Sequence, residues 1–185
     1  MKEQCDDQLY LNRIQNGDSA CYTFLIEKYS KQIYTLVLKI VQNREDAEEI
    51  CQDTFMKVYR SISSFKQESS FSTWIYRIAY NTAITFVRKK KQQFISIDEM
   101  QLTDISEEGI DAVLHHASKE EQLQCLERAL TKLSAEDCGI ITLFYLKEKS
   151  IEEVSSITQL TVANVKTKLF RIRKKLYILL KEEII

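Results

Sequence analysis

Turn-forming residues are scarce in this chain, which has no proline and three glycines in 185 residues. β-Sheets need such residues at regular intervals, because tight turns require backbone angles that they adopt easily. The scarcity predicts an all-α fold in which short polar connections join the helices. The length allows one or two domains, each with a modest core.

Apolar residues recur at helical spacing along two separate stretches of the chain. The first stretch predicts four helices, at about 9–16, 18–41, 44–61 and 73–91. Gly17 is expected as a left-handed C-cap, and Asp18 and Asn43 as N-caps.

The second stretch predicts three helix starts, at Ser134, Ser150 and Thr161, after a first helix that carries Leu123 to Leu133. Ser150 is followed three residues later by glutamate, which is typical of a capping box. A short capped helix, a tight connection and a longer basic helix are typical of a helix-turn-helix.

An acidic segment at 93–118 separates the two stretches and lacks helical periodicity. Acidic residues dominate between Asp98 and Glu121. We therefore predict two small helical domains, residues 1–92 and 119–185, joined by a flexible acidic linker.

Basic residues form two clusters, at 88–91 and 166–175, although the formal net charge is −1. Two positive clusters on either side of an acidic segment suggest two contacts with nucleic acid. They are equally typical of two solvated helix faces, and both interpretations remain open on charge alone.

The sequence contains no pattern that indicates catalysis or a bound cofactor. It lacks a nucleophile elbow and a phosphate-binding loop. The five cysteines include no Cys-x-x-Cys pair and the two histidines are adjacent, which argues against a metal site. We predict a protein that is not an enzyme, with no catalytic residue, no metal, no cofactor and no small-molecule substrate. A charged N-terminus and the lack of a long apolar run predict a soluble, cytoplasmic protein.

The last predicted helix has an apolar face and a polar, basic face. On the polar face an aromatic residue, Phe170, lies among cations, where a purely structural helix has no packing reason to place it. In a DNA major groove Phe170 could contact a thymine methyl, and Arg171 and Lys166 could reach base edges or phosphates. The alternative is that Phe170 packs on the preceding helix.

The fourth predicted helix repeats this pattern, because Trp74, Arg77, Asn81 and Arg88 share one side of it. A tryptophan beside amide and guanidinium groups suits an unstacked single-stranded base. The alternative is that Trp74 is half buried beneath the loop that carries Phe65 and Phe71.

The chain resembles the extracytoplasmic-function (ECF) sigma factors, the small promoter-reading subunits of bacterial RNA polymerase. Residues 18–41 and 44–65 resemble the family's regions 2.1 and 2.2, FSTWIYRIAYNTAITFVRKKK at 71–91 resembles regions 2.3 and 2.4, and residues 126–176 resemble region 4. The combination of TWIYRIAYNTA with VKTKLFRIRKKL at the right distance is highly specific.

The resemblance implies three contact surfaces. It implies that promoter −10 melting uses Trp74 and Asn81, and we add Phe71, Arg77 and Arg88 of the same helix as candidate −10 contacts. It implies that −35 binding uses Lys166, Thr167, Phe170 and Arg171, and the helical pattern adds Asn164 and Lys174 on the same polar face. It implies that core polymerase binds an acidic stripe formed by Glu45, Glu49 and Asp53, although that spacing is equally typical of solvated surface.

The implied partners are core RNA polymerase, through its β′ clamp helices and β flap, promoter DNA and a membrane-anchored anti-sigma factor. Two residues depart from the family pattern: Gln159 stands in the turn where the family often has glycine, and Ser155 replaces the usual alanine. A left-handed backbone at Gln159 would cost about 1 kcal/mol relative to glycine. The alternative function is that of a helix-turn-helix regulator that acts without polymerase, which would leave the first domain unexplained.

Overall fold

A computed structural model of the protein describes residues 2–91 and 119–184. Along these residues the chain forms eight α-helices, which confirms the predicted all-α class. The predicted linker at 93–118 lies outside the described residues.

The first domain is a four-helix bundle. Its helices are α1 (Lys2–Gln15), α2 (Tyr22–Val41), α3 (Arg44–Ser61) and α4 (Phe71–Lys91). Helices α2, α3 and α4 contact one another, and α1 packs against α2. The core follows the apolar period of α2, whose Ile33, Leu36 and Val37 are completely buried.

Two of the three predicted caps in the first domain are confirmed. Gly17 is left-handed, with φ of 99°, and the Asn43 side chain accepts a hydrogen bond from the backbone N–H of Asp46 at 2.9 Å. The N-cap predicted at Asp18 is wrong. Its carboxylate forms an ion pair with Arg13 at 2.6 Å, and α2 begins only after a short 3₁₀ turn at Ser19–Cys21.

The second domain begins with α5 (Lys119–Thr131) and α6 (Ala135–Ile141), which continues into a π-helical turn at Thr142–Leu146. Its last two helices are α7 (Ile151–Thr158) and α8 (Val162–Ile184). The predicted caps at Ser134, Ser150 and Thr161 are all present, and the capping box at Ser150 has both of its hydrogen bonds.

The turn between α7 and α8 contains both residues that depart from the family pattern. Gln159 is left-handed, with φ of 62°, so the turn does require the angle that glycine adopts without strain. The Ser155 hydroxyl donates to the carbonyl of Leu160 at 2.6 Å and thereby closes the turn from the α7 side.

The two domains pack directly against each other. Helix α4 lies against α7, and α2 lies against α6. Within the described residues, no helix is both long and apolar enough to cross a membrane.

We expect alanine at Leu169 or Ile172 to lower the free energy of unfolding by about 2–5 kcal/mol, because each leaves a cavity in the second-domain core. The two side chains are 2% and 1% exposed. Urea denaturation followed by circular dichroism measures the loss. The control is Phe170→Ala on the same helix, and an equal loss there would place Phe170 in the core.

Candidate nucleic-acid interface

Helix α8 presents the polar face that the sequence predicts. Val165, Leu169 and Ile172 are buried, at 0%, 2% and 1% exposure. The opposite face is solvent exposed and comprises Asn164, Lys166, Thr167, Phe170 and Arg171. One face of the helix therefore packs in the core, and the opposite face forms a continuous polar surface.

Phe170 is the exposed aromatic residue of this surface. It is 41% exposed and therefore does not belong to the buried core of the domain. The ammonium of Lys174 lies 4.8 Å from the centre of its ring, one helical turn further along. This contact places a cation and an aromatic ring side by side on the exposed face.

The neighbouring lysines of α8 have internal partners. Lys175 forms an ion pair with Asp137 at 2.9 Å, and Lys168 lies 3.4 Å from Glu136. Both carboxylates belong to the first turn of α6, where the helix dipole favours negative charge. These lysines are therefore less available to phosphate than Lys166, which lies on the exposed face.

Trp74 packs in an aromatic cluster at the start of α4. Its ring centre lies 4.9 Å from that of Phe65 and 5.7 Å from that of Phe71. The structure thus matches the alternative in which Trp74 is half buried against this loop. Phe71 is only 3% exposed and cannot contact DNA in this conformation.

Asn81 lies in a groove between α3 and α4 with a volume of about 440 Å³. Glu49 and Asp53 of the acidic stripe line the opposite wall, and Lys57 bridges the helices by donating to Thr82 at 3.2 Å. The groove thus brings together two sets of residues that the sequence assigns to different surfaces.

The two arginines on this side of α4 are bonded to the second domain. With its amide oriented to satisfy its neighbours, Gln159 accepts from Nη2 of Arg77 at 2.7 Å and from Nε at 3.3 Å. Arg88 donates to Oε1 of Glu136 at 2.7 Å. The hydrogen bond from Arg88, helped by nearby Lys168, holds the pKa of Glu136 below its ordinary value.

The acidic stripe of α3 is exposed along its length, at Glu45, Glu49 and Asp53. Two large apolar side chains on the same helix, Met56 and Tyr59, are 53% and 50% exposed. Neither residue was predicted as a contact, although Met56 follows Asp53 by three residues and so lies on the same face. Exposed apolar groups beside carboxylates are typical of a protein-binding surface.

The second domain has an apolar groove of about 390 Å³ between α5, the π-helical turn and α8. Its walls include Leu126, Leu130, Tyr145, Leu146 and Leu176. Leu146 and Tyr145 are 55% and 51% exposed, so the groove is open to solvent.

Comparison with known proteins identifies the family. The model of sigma-70 region 2 matches residues 25–93, and that of sigma-70 region 4 matches residues 123–176. The ECF RNA polymerase sigma-E factor of Haemophilus influenzae is 30% identical over 94% of this chain and 95% of its own length. The chain belongs to the ECF sigma factors. The sigma-E factor of Escherichia coli K12 is 29% identical over the same share of the chain.

Two solved structures show that the fold of this sigma factor is shared. CnrH in complex with the cytosolic domain of CnrY has a TM-score of 0.68 at 19% identity, covering 95% of this chain and 97% of that one. The sigma factor RpoE of Bartonella quintana, in complex with the anti-sigma factor NepR, has a TM-score of 0.66 at 22% identity, covering 86% and 96%.

The family settles the class of function. As an ECF sigma factor the protein directs promoter recognition by RNA polymerase and is not an enzyme. The match to region 2 also accounts for the first domain, which a stand-alone helix-turn-helix regulator would leave without a role.

Proposed function

We propose that this sigma factor reads the −35 element with the exposed face of α8 and the −10 element with α4. The main support is the exposed face itself, on which an aromatic ring at 41% exposure lies among cations. A helix that only stabilises the domain would gain nothing from such an arrangement. In the major groove each of these groups has a partner.

On the −35 element, α8 lies in the major groove and leads with its N-terminal half. Arg171 donates to the acceptor edge of a guanine, and Phe170 contacts a thymine methyl. Asn164 and Thr167 approach base edges near the start of the helix. Lys166 and Lys174 bind phosphates, which position the helix without reading sequence.

On the −10 element, an unstacked base stacks on the exposed part of the half-buried Trp74 ring. Asn81 hydrogen-bonds to a base edge, and Arg77 and Arg88 bind the backbone of the strand. Because Phe71 is buried at 3% exposure, we assign it the role of supporting Trp74 from beneath.

Two surfaces are proposed to bind core polymerase. The acidic stripe of Glu45, Glu49 and Asp53 docks on the β′ clamp helices, with Met56 and Tyr59 supplying apolar contact. The open apolar groove of the second domain accepts the β flap. Both surfaces are solvent exposed, so polymerase can bind them without the two domains first moving apart.

A further proposed partner is an anti-sigma factor anchored in the membrane. The support is that solved relatives of this fold include complexes of a sigma factor with the anti-sigma factor NepR and of CnrH with the cytosolic domain of CnrY. The place of action is the cytoplasm, where core polymerase and promoter DNA are found.

We expect Arg171→Ala to relax −35 sequence preference and Lys174→Ala to weaken binding evenly across sequences. A bidentate base contact contributes about 1–3 kcal/mol of discrimination, whereas loss of one phosphate contact lowers the salt slope by about one. Transcription by reconstituted holoenzyme from a promoter library randomised at both elements, at two salt concentrations, measures both effects. If Arg171→Ala keeps the wild-type preference, Arg171 is a phosphate contact.

We expect Trp74→Ala and Asn81→Ala to impair open-complex formation more than initial promoter binding. Stacking on one aromatic ring contributes about 1–3 kcal/mol per base. A template with a pre-melted bubble over the −10 element should restore part of the transcription lost in Trp74→Ala. Equal loss of transcription on the bubble and duplex templates would show that Trp74 only stabilises its aromatic cluster. Thermal denaturation of the variant measures that loss of stability.

We expect the double charge reversal Glu49→Arg with Asp53→Arg to weaken binding to core polymerase by about tenfold, or about 1.4 kcal/mol. A pull-down titration measures the affinity, and circular dichroism checks the fold. The matched control reverses two exposed carboxylates elsewhere, Glu27→Arg with Glu148→Arg, and should bind normally. Equal affinity of the two double variants would show that the acidic stripe is solvated surface and does not bind core polymerase.

A further inference from the structure

Helix α8 carries two cations on each flank of its exposed face. At about 100° per residue, Lys168 and Lys175 lie about 80–100° to one side of Thr167, which is near the centre of that face. Lys166 and Arg173 lie about 100–120° to the other side. Within each pair the two cations are about two helical turns apart. The two flanks are therefore alike in charge and spacing, and they differ in the groups that lie beside them.

A buried carboxylate lies beside the first flank. Asp137 of α6 is 6% exposed, and its Oδ2 accepts a hydrogen bond from the ammonium of Lys175 at 2.9 Å. Its Oδ1 lies 3.9 Å from the ammonium of Lys168, which is also 3.4 Å from Glu136. The backbone N–H of Asp137 donates to the N-cap hydroxyl of Ser134 at 3.2 Å. The first turn of α6 thus fixes the position of the Asp137 carboxylate.

The second flank has no such carboxylate among the residues that the structure describes. Lys166 is exposed and forms no ion pair with a described residue. Arg173 donates from Nε to the hydroxyl of Tyr145 at 2.9 Å, and this neutral partner does not compensate its charge. The cations of one flank are therefore paired within the domain, whereas those of the other flank remain available.

A helix in the major groove has a sugar–phosphate backbone along each of its two sides. Phosphates on one side would face Lys166, and those on the other side would face Lys175. Lys175 follows directly after Lys174, to which we assign a phosphate contact, so its distance along the helix does not keep it from DNA. Asp137 does, because Lys175 must give up a partly buried ion pair before it can bind phosphate.

We propose that Asp137 is a positioning residue for −35 binding, which withholds Lys175 from phosphate so that α8 holds one strand of the duplex more strongly than the other. The inference rests on the proposed role of α8 in the major groove. The strand that is held lies beside Lys166. Because phosphate contacts carry no sequence information, Asp137 also limits the share of the affinity that is independent of sequence.

The test is a charge-balanced set of variants, Asp137→Asn, Lys175→Gln and the two together. Asp137→Asn keeps the shape of the side chain and frees Lys175, whose side chain is already 40% exposed and can turn to solvent. Lys168 keeps Glu136 as a partner in every variant. The double variant has the net charge of the wild type. The matched control is Glu148→Gln, which removes an exposed negative charge from the same domain.

Holoenzyme reconstituted with each variant is titrated with a fluorescent promoter duplex selected from the randomised library. We expect Asp137→Asn to gain one phosphate contact, so that the affinity lost between roughly 50 and 200 mM salt grows by about threefold. Lys175→Gln, the double variant and Glu148→Gln should match the wild type. Circular dichroism checks the fold of each variant.

Duplexes with neutral methylphosphonates along one strand of the −35 element show which strand is held. We expect the wild type to lose more affinity when the substitutions lie on one strand than when they lie on the other. In Asp137→Asn this difference should shrink, because Lys175 then contacts the second strand. The double variant should regain the wild-type difference.

Three outcomes overturn the inference. The first is a wild type that is equally sensitive on both strands, and the second is a folded Asp137→Asn with the wild-type salt slope and strand preference. The third is a Lys175→Gln that weakens binding by itself, since Lys175 would then already contact phosphate; this variant decides the question even if Asp137→Asn does not fold. A wild-type affinity that ignores the −35 sequence would instead contradict the proposed function of α8.

Discussion

The contact between Tyr80 of α4 and Gly139 of α6 sets how closely the two domains approach. Any side chain at 139 would meet the ring within 2.6 Å, so the fit depends on the missing Cβ. Once that contact is made, α7 lies along α4, and Gln159 and Glu136 come within hydrogen-bond distance of Arg77 and Arg88. The state of the proposed −10 surface therefore follows from a packing contact that contains no DNA-binding residue.

The sequence predicts the fold best where the deciding interaction is local. The caps at Asn43, Ser134 and Ser150 each join atoms three residues apart, and each is present. Asp18 does not cap α2, and its carboxylate instead accepts a hydrogen bond from Arg13, five residues earlier. The π-helical turn after α6 was not foreseen, because such turns are rare and the rules for caps and apolar periods do not predict them.

The candidate site also has features that the sequence predicts and features that it does not. The exposed face of α8 follows from its helical period, and Phe170 is exposed as the pattern indicates. The contacts around α4 cannot be predicted from a helical period, because Arg88 and Glu136 are 48 residues apart in the sequence and Thr73 and Glu153 are 80 apart. No spacing rule within one helix encodes such pairs. Gln159 was recognisable as an unusual turn residue, but only the structure supplies its partner.

The ion pair between Arg88 and Glu136 contributes little to the contact between the two domains. Arg88 and Glu136 keep 71% and 40% of their side-chain surface exposed, and ion pairs of this kind contribute about 0–1 kcal/mol each. Since Arg88 lowers the pKa of Glu136, the contribution of this pair is present above the unfolded pKa of Glu136 and is lost only as the pH falls through the lower folded value. Both lie in the acidic range, so the pair is intact near neutral pH. At this strength the pair does not by itself hold the two domains together at neutral pH.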